Sequence, residues 1–333
     1  MIKTIVIVVM SGWLLLPLEL LAEPQKLIFS HVVGADTPKG KMARLFKDIV
    51  ETKLGDRYEV VIHENASLMS DVEAVDAIAE GRIHFAAPAL SKFTRYTEKL
   101  KVFDLPFLFR DMKAVNRFQE SETGQSLLTT MKNEGIVGLG YLQNGLKQLT
   151  ANRPFREPSD LAGLRFRIIN TDVLQKQFKA IDADPVPIAW PDTPEALRAG
   201  IVDGQENTWS NIFTSEFYKY QKYMMASNHG LLGYMVITNK DFWQPLTSRE
   251  RRLFLYAMNM SIAYGNAVAQ AKSRNDRIAI QNMKDIVFTD PTPKELARWQ
   301  AVMRPIWDEY ESVVGKDVIN AARASSGEVA SVR

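Results

Sequence analysis

Apolar and polar positions alternate between two periods along this chain. Leu27 to Val33 is a run of apolar and β-branched residues and predicts a strand. Asp36-Thr37-Pro38 then reads as a helix start, with a capping side chain and a proline whose missing N–H costs nothing there. Met42, Leu45, Phe46, Ile49 and Val50 follow at helical spacing. Tyr58 to His63 is the next strand, and Asp71 to Glu80 the next helix. That helix has Val72, Val75, Ile78 and Ala79 on one face and Gly81 as its stop. Ile83 to Ala87 is a third strand. Strand-helix-strand-helix-strand is the opening of a doubly wound α/β unit.

The pattern returns after the middle. Leu164, Phe166 and Ile168 share one face of a strand; Val173, Leu174, Phe178 and Ile181 give a helix; Val186 to Trp190 gives a strand. Thr193-Pro194-Glu195 opens another helix, closed by Gly200, and Ile201 to Asn207 leads into a strand. Leu146 to Thr150 and Leu231 to Asn239 are read as segments crossing between the two units and back. Pro245-Leu246-Thr247 introduces a helix reaching about Lys284, long enough to be a strut across both. Thr292-Pro293-Lys294-Glu295 starts a last helix. The reading is α/β, with domain 1 as 23–145 plus 232–265, domain 2 as 146–231 plus 266–323, and a frayed tail at 324–333.

Composition adds three constraints. A formal net charge of +2 over 333 residues argues against nucleic acid as a partner. The absence of cysteine removes disulfides, thiolate metal sites and lipid-anchored cysteine. Lys3, the apolar run Thr4 to Pro17 and Leu20-Leu21-Ala22 read as an export signal, residues 1–22, cleaved after Ala22. The alternative is a retained anchor, but the run is shorter than the ~20 residues a spanning helix needs and Glu19 interrupts its end. The mature chain is therefore expected outside the cytoplasmic membrane, in the periplasm of a bacterium.

Candidate chemistry is sparse and points to binding. Arg167 and Asn207 both sit near carboxyl ends of predicted strands, where open α/β sheets take ligands. An arginine offers a planar fork that matches a carboxylate in two parallel hydrogen bonds. An ordinary surface or ion-paired arginine is the competing reading, and Arg165 on the same strand face is the local rival. Lys147, in a crossing segment, could place a point charge at an interdomain cleft or be merely solvated. Trp190 could wall a ligand's carbon chain or belong to the core. His31, at a strand end, could donate to an anion or be structural. His31, His63, His84 and His229 have no metal-ligand spacing, and no HExxH, nucleophile elbow, Walker A loop or dinucleotide fingerprint occurs. No acid is paired convincingly with a base or nucleophile.

Several ordered motifs then carry a resemblance. They are Phe29-Ser30-His31-Val32-Val33 with Thr37-Pro38-Lys39-Gly40, Ala87-Pro88-Ala89-Leu90-Ser91-Lys92-Phe93, and Phe103-Asp104-Leu105-Pro106-Phe107-Leu108-Phe109. Asn144-Gly145-Leu146-Lys147-Gln148, Gly163-Leu164-Arg165-Phe166-Arg167-Ile168, and Val202-Asp203-Gly204-Gln205-Glu206-Asn207-Thr208-Trp209-Ser210-Asn211-Ile212 follow, with Asn228-His229-Gly230 and Gly233-Tyr234. In order and spacing the chain resembles, over nearly its whole mature length, the solute-binding proteins of tripartite ATP-independent periplasmic (TRAP) transporters, in the C4-dicarboxylate branch.

That resemblance implies a fold of the type II periplasmic-binding-protein kind: two α/β domains joined by crossing strands and bridged by a long helix. It places the carboxylate-clamping arginine on Arg167, a second cation on Lys147, an amide on Asn207, a packing aromatic on Trp190 and, more loosely, a contact on His31. It implies a monomeric receptor, with no cofactor and no catalytic step, that delivers succinate, fumarate or malate to TRAP permease membrane subunits. Trp190-Pro191-Asp192-Thr193-Pro194 departs from the family's usual run after its packing phenylalanine. Ala89 replaces a serine, and Leu142 a tryptophan. These changes leave the clamp intact and bear on the rest of the ligand, so keto acids and sugar acids stay open. Presentation of the ligand to a sensor kinase and a periplasmic enzyme are the other readings.

Overall fold

The computed structural model describes residues 23–327. The expected export signal at 1–22 and the end of the expected tail, 328–333, lie outside the described residues. Strand β1 (Gln25–Ser30) leads into helix α1 (Pro38–Leu54), then β2 (Tyr58–His63), α2 (Asp71–Ala79) and β3 (Phe85–Ala86). β1 pairs in parallel with both β2 and β3. It ends at Ser30 rather than at Val33 because the chain turns there: the His31 N–H still reaches the His63 carbonyl at 2.9 Å, but its own carbonyl accepts from Ala66.

α1 forms where the capping signal placed it. Thr37 Oγ1 accepts from the Gly40 N–H at 3.1 Å, Pro38 fills the first turn, and Met42, Phe46, Val50 and Leu54 are buried along one face. At Gly40 an added Cβ would stand 2.5 Å from the Gly34 carbonyl. Only glycine lets the preceding loop fold back over this first turn, beside Lys39. α2 carries a full capping box between Ser70 and Glu73.

Two long strands join the halves of the sheet. β4 (Ile136–Ala151) and β8 (Tyr223–Asn239) run antiparallel along their whole length, from Ile136 against Asn239 to Ala151 against Tyr223. The sequence pattern suggested much shorter crossings. Glycines at 138, 140 and 145 interrupt the alternation, and the ladder slips register beside each of them. Beyond β4 lie β5 (Arg165–Ile168), β6 (Asp184–Pro187) and β7 (Gly204–Asn207), with β5 parallel to both β6 and β7. β9 (Val287–Thr289) pairs with the start of β8. The order is β2-β1-β3-β8-β4-β7-β5-β6, nine strands in one sheet with β9 off the path.

The expected strut is a 34-residue helix, Ser248–Gln281, opened by a capping box between Thr247 and Glu250. At Gly265 it packs so closely that an added Cβ would lie 2.8 Å from Leu142 Cδ1 and 2.9 Å from Met42 Cβ. The helix, α1 and β4 are thus locked together. Phe29, Phe46, Phe85 and Phe254 fill the core on this side; Phe166 stacks on Phe178 at 5.0 Å in the other half. The tail is ordered further than expected. A helix runs Lys316–Ser325, and Ser326 Oγ donates to the Leu108 carbonyl at 2.8 Å.

Candidate functional site

A cavity of about 170 Å³ lies among the ends of these elements. Lys39 enters it from the first turn of α1, Asp71 from the first residue of α2, and Lys92 from the single 3-10 turn Leu90–Lys92 after β3. Arg167 comes from β5, Asn207 from the end of β7, Asn211 from the helix Trp209–Thr214 and Tyr234 from β8. Trp190, in a 3-10 turn just past β6, closes one wall.

The charges are unusual for their burial. Lys39 is 1% exposed, and its Nζ has no hydrogen-bond partner. It sits 3.7 Å from the centre of the Tyr234 ring. Burial pushes its pKa down, and the Asp71 carboxylate opposes that. Lys92 is lowered in the same way, by burial first and then by Arg167, with Asp71 acting against both. Arg167 is 3% exposed; its Nε and Nη2 donate to the Ile188 carbonyl at 3.0 and 2.8 Å. Burial lowers it to about 10, against the pull of Glu206, so the guanidinium stays charged at neutral pH. With both lysines protonated, three cations and one carboxylate would leave the cavity two positive charges in excess. Buried charge without a partner is costly, so such a site favours an anion.

Neutral groups complete it. Asn207 Oδ1 accepts from Asn211 Nδ2 at 2.7 Å and from the Thr208 N–H at 3.1 Å. With its oxygen engaged, the Asn207 amide offers its N–H2 group as a donor. Asn144 Nδ2 donates to both Asn211 Oδ1 and Tyr234 Oη, at 3.1 and 2.8 Å, and so holds the two residues in register across β4.

Of the residues expected from sequence, Arg167, Asn207 and Trp190 line this cavity. Lys147 and His31 do not. Lys147 Nζ lies 2.7 Å from Glu206 Oε1 in a buried ion pair, and His229 Nε2 meets Glu206 Oε2 at 2.8 Å. Burial would raise the Glu206 carboxyl, but Lys147 and His229 hold it down to about 2. The cations at the cavity are instead Lys39 and Lys92. His31 is buried near Lys39 with neither ring nitrogen hydrogen-bonded. Burial, and then the charge of Lys39, push it down to about 3, so it is neutral at ordinary pH. The rival Arg165 is exposed and spent on Asp203.

Lys39, Lys92, Asp71, Asn211 and Tyr234 were not singled out as site residues from sequence. Lys39 did carry a signal: a cation in the first turn of a helix opposes the helix dipole. A local rule broken without local gain marks a functional position.

Residues 29–313 match the family described as bacterial extracellular solute-binding protein, family 7 (DctP). The chain belongs to this family. It is 47% identical over 305 residues to the C4-dicarboxylate-binding periplasmic protein DctP of Shewanella loihica, covering 92% of this chain and 91% of the relative. It is 38% identical to the protein of the same name from Rhodobacter capsulatus, covering 95% of each. Among solved structures, it superposes with a TM-score of 0.89 on a TRAP periplasmic solute-binding protein from Shewanella oneidensis with bound succinate. That pair shares 47% identity and covers 91% of this chain and 99% of the other. A Pseudomonas aeruginosa member with bound L-malate gives a TM-score of 0.82 at 37% identity, covering 86% and 100%. Family 7 members are solute-binding proteins, and no described helix of this one is long and apolar enough to cross a membrane.

Proposed function

We propose that this family 7 protein is a periplasmic receptor for a C4-dicarboxylate, which it delivers to a TRAP membrane permease. The observation that carries the reading is the buried, unpartnered ammonium of Lys39 beside Lys92 and Arg167 around one small cavity. Two carboxylates on a short carbon chain match the excess of two positive charges, and the relatives with bound succinate and L-malate make the same class of ligand the first choice. Arg167 and the Asn207 amide suit one carboxylate; Lys39 and Lys92 suit the other; Trp190 packs on the carbons between.

Lys39, Asp71, Lys92 and Tyr234 belong to the unit 23–145 plus 232–265, and Arg167, Trp190, Asn207 and Asn211 to the unit 146–231 plus 266–323. A ligand bound to both sets favours their closed arrangement and shifts the equilibrium by its differential affinity. The closed form is what the permease recognises. The leader at 1–22 directs export. The reading is binding without turnover: the groups around the cavity neutralise and orient two carboxylates.

The test is calorimetry and thermal unfolding of protein stripped of ligand by unfolding and refolding, with succinate, fumarate and malate. A specific ligand at a hundred times its Kd should stabilise the protein by about 2.7 kcal/mol. Absence of any midpoint shift with these three acids, from a sample shown to be empty, would overturn the reading.

A further inference from the structure

A site for an anion does not need an acid, yet Asp71 lines this one. Asp71 is 9% exposed, and its Oδ2 accepts from the Ala89 N–H at 3.2 Å. It makes no ion pair with either lysine, although its charge acts on both Lys39 and Lys92. Every other charged group on the cavity wall is a cation. Lys39 faces it from α1, Lys92 from the turn after β3 and Arg167 from β5; the Tyr234 phenol lies beside Lys39 on β8. Behind Lys39 stands His31, neutral through the range of interest, and Asp104 acts on Lys92 from farther back.

We propose that Asp71 sets the charge of the cavity: it holds Lys39 and Lys92 in their ammonium form in the empty receptor and trims three positive charges to two, matching a dianion. The proposal rests on the dicarboxylate reading and adds a residue that determines both ligand charge and the pH range of binding. Without Asp71, two opposite effects follow. Repulsion of the ligand by a like charge disappears, so a dianion binds more tightly while both lysines are protonated. The lysines also lose the carboxylate that supports their charge, so they release protons at lower pH. Affinity that depends on protonated lysine is present below its pKa and lost as pH rises through it; without Asp71 that loss begins earlier. The two binding curves therefore cross.

The experiment measures succinate affinity by calorimetry from pH 6 to pH 9.5 for the wild type, Asp71→Asn and Asp71→Glu, with succinamate as a singly charged ligand of nearly equal size. Asn keeps an oxygen for the Ala89 N–H. Expected for Asp71→Asn is binding as tight as wild type or tighter at pH 6, and at least about tenfold weaker at pH 9, one pKa unit being a factor of ten. Its preference for succinate over succinamate should widen at pH 6. Asp71→Glu should restore the wild-type pH profile. A loss of affinity equal at all pH values, or superimposable curves, would overturn the proposal. Should Asp71→Asn fail to fold, proton uptake decides. It is read from wild-type heats in two buffers of different ionisation enthalpy: uptake near zero at pH 7 supports the proposal, and uptake of about one proton overturns it. A wild type that binds no dicarboxylate defeats the functional reading itself, a separate outcome.

Discussion

The ammonium of Lys39 lies 3.7 Å from the centre of the Tyr234 ring and touches no hydrogen-bond acceptor. The ring's negative face is a weak substitute for a counterion, worth about 2 kcal/mol when desolvated, against a desolvation penalty of several kcal/mol. The empty receptor therefore carries strain that an anionic ligand would relieve. This separates binding from stability and gives the two opposite signs on mutation.

Lys39→Met should make the empty protein more stable, by about 1–3 kcal/mol, because a side chain of similar length without charge fits the same slot. The same variant should lose about 2–5 kcal/mol of succinate affinity. Thermal unfolding with and without succinate checks both: the empty midpoint rises and the ligand-induced shift disappears. A variant that is both less stable and still responsive would show that Lys39 is structural.

Arg167 does two jobs through one group. Nε and Nη2 hold the Ile188 carbonyl, which fixes the segment leading to Trp190, while the guanidinium faces the cavity. Arg167→Lys keeps the charge and loses the fork. Expected is a drop in succinate affinity of about 2 kcal/mol or more, with faster hydrogen exchange over residues 188–192. Unchanged exchange alongside weakened binding would confine the arginine's role to the ligand.

Much of this was legible in the sequence because local signals and tertiary needs agreed. Thr37-Pro38, Thr247 and Thr292 all cap the helices they announced. Arg167 and Asn207 lie at strand ends, where sheet topology alone directs attention to them. The differences between the sequence expectation and this cavity have physical causes. Lys147 lies on a crossing strand, and β alternation plus a register slip between 147 and 149 decides which side its ammonium faces. Sequence gives the strand, not the slip. Lys39 and Lys92 come from a helix start and a lone 3-10 turn far apart in the chain, so their convergence on Arg167 exists only after folding. Asp71 reads as the first residue of a helix, which it is; its place on the cavity wall leaves no mark on periodicity.

The buried pair of Lys147 and Glu206 anchors β4 to β7. Glu206→Gln leaves the buried Lys147 ammonium without its hydrogen-bonded counterion, only the Asp104 carboxylate still acting on it without contact, and a loss of about 3–5 kcal/mol in urea unfolding is expected. Glu206→Gln with Lys147→Met should recover most of it, because the stranded charge is then gone. A double variant no more stable than the single would show that the pair serves packing rather than charge.

Asp104 offers a pH signature of opposite sign to that of an ordinary ion-paired acid. It is 2% exposed, takes a hydrogen bond from Ser91 Oγ at 2.8 Å, and its Oδ2 has no partner. Burial raises its carboxyl to about 6 from the usual 3.8, outweighing Lys147 and the Ser91 bond. The folded protein then holds a proton that the unfolded chain releases between these two values. Stability contributed by the protonated form is complete below 3.8 and is lost as pH rises through about 6. Asp104→Asn removes that dependence while keeping an acceptor for Ser91. Its unfolding free energy should match wild type near pH 4 and exceed it at pH 8, by about 2–3 kcal/mol at most for a shift of this size. Parallel midpoint-against-pH curves for the two proteins would mean that Asp104 is ionised in the fold throughout, its charge balanced by Lys147 and Lys92 together.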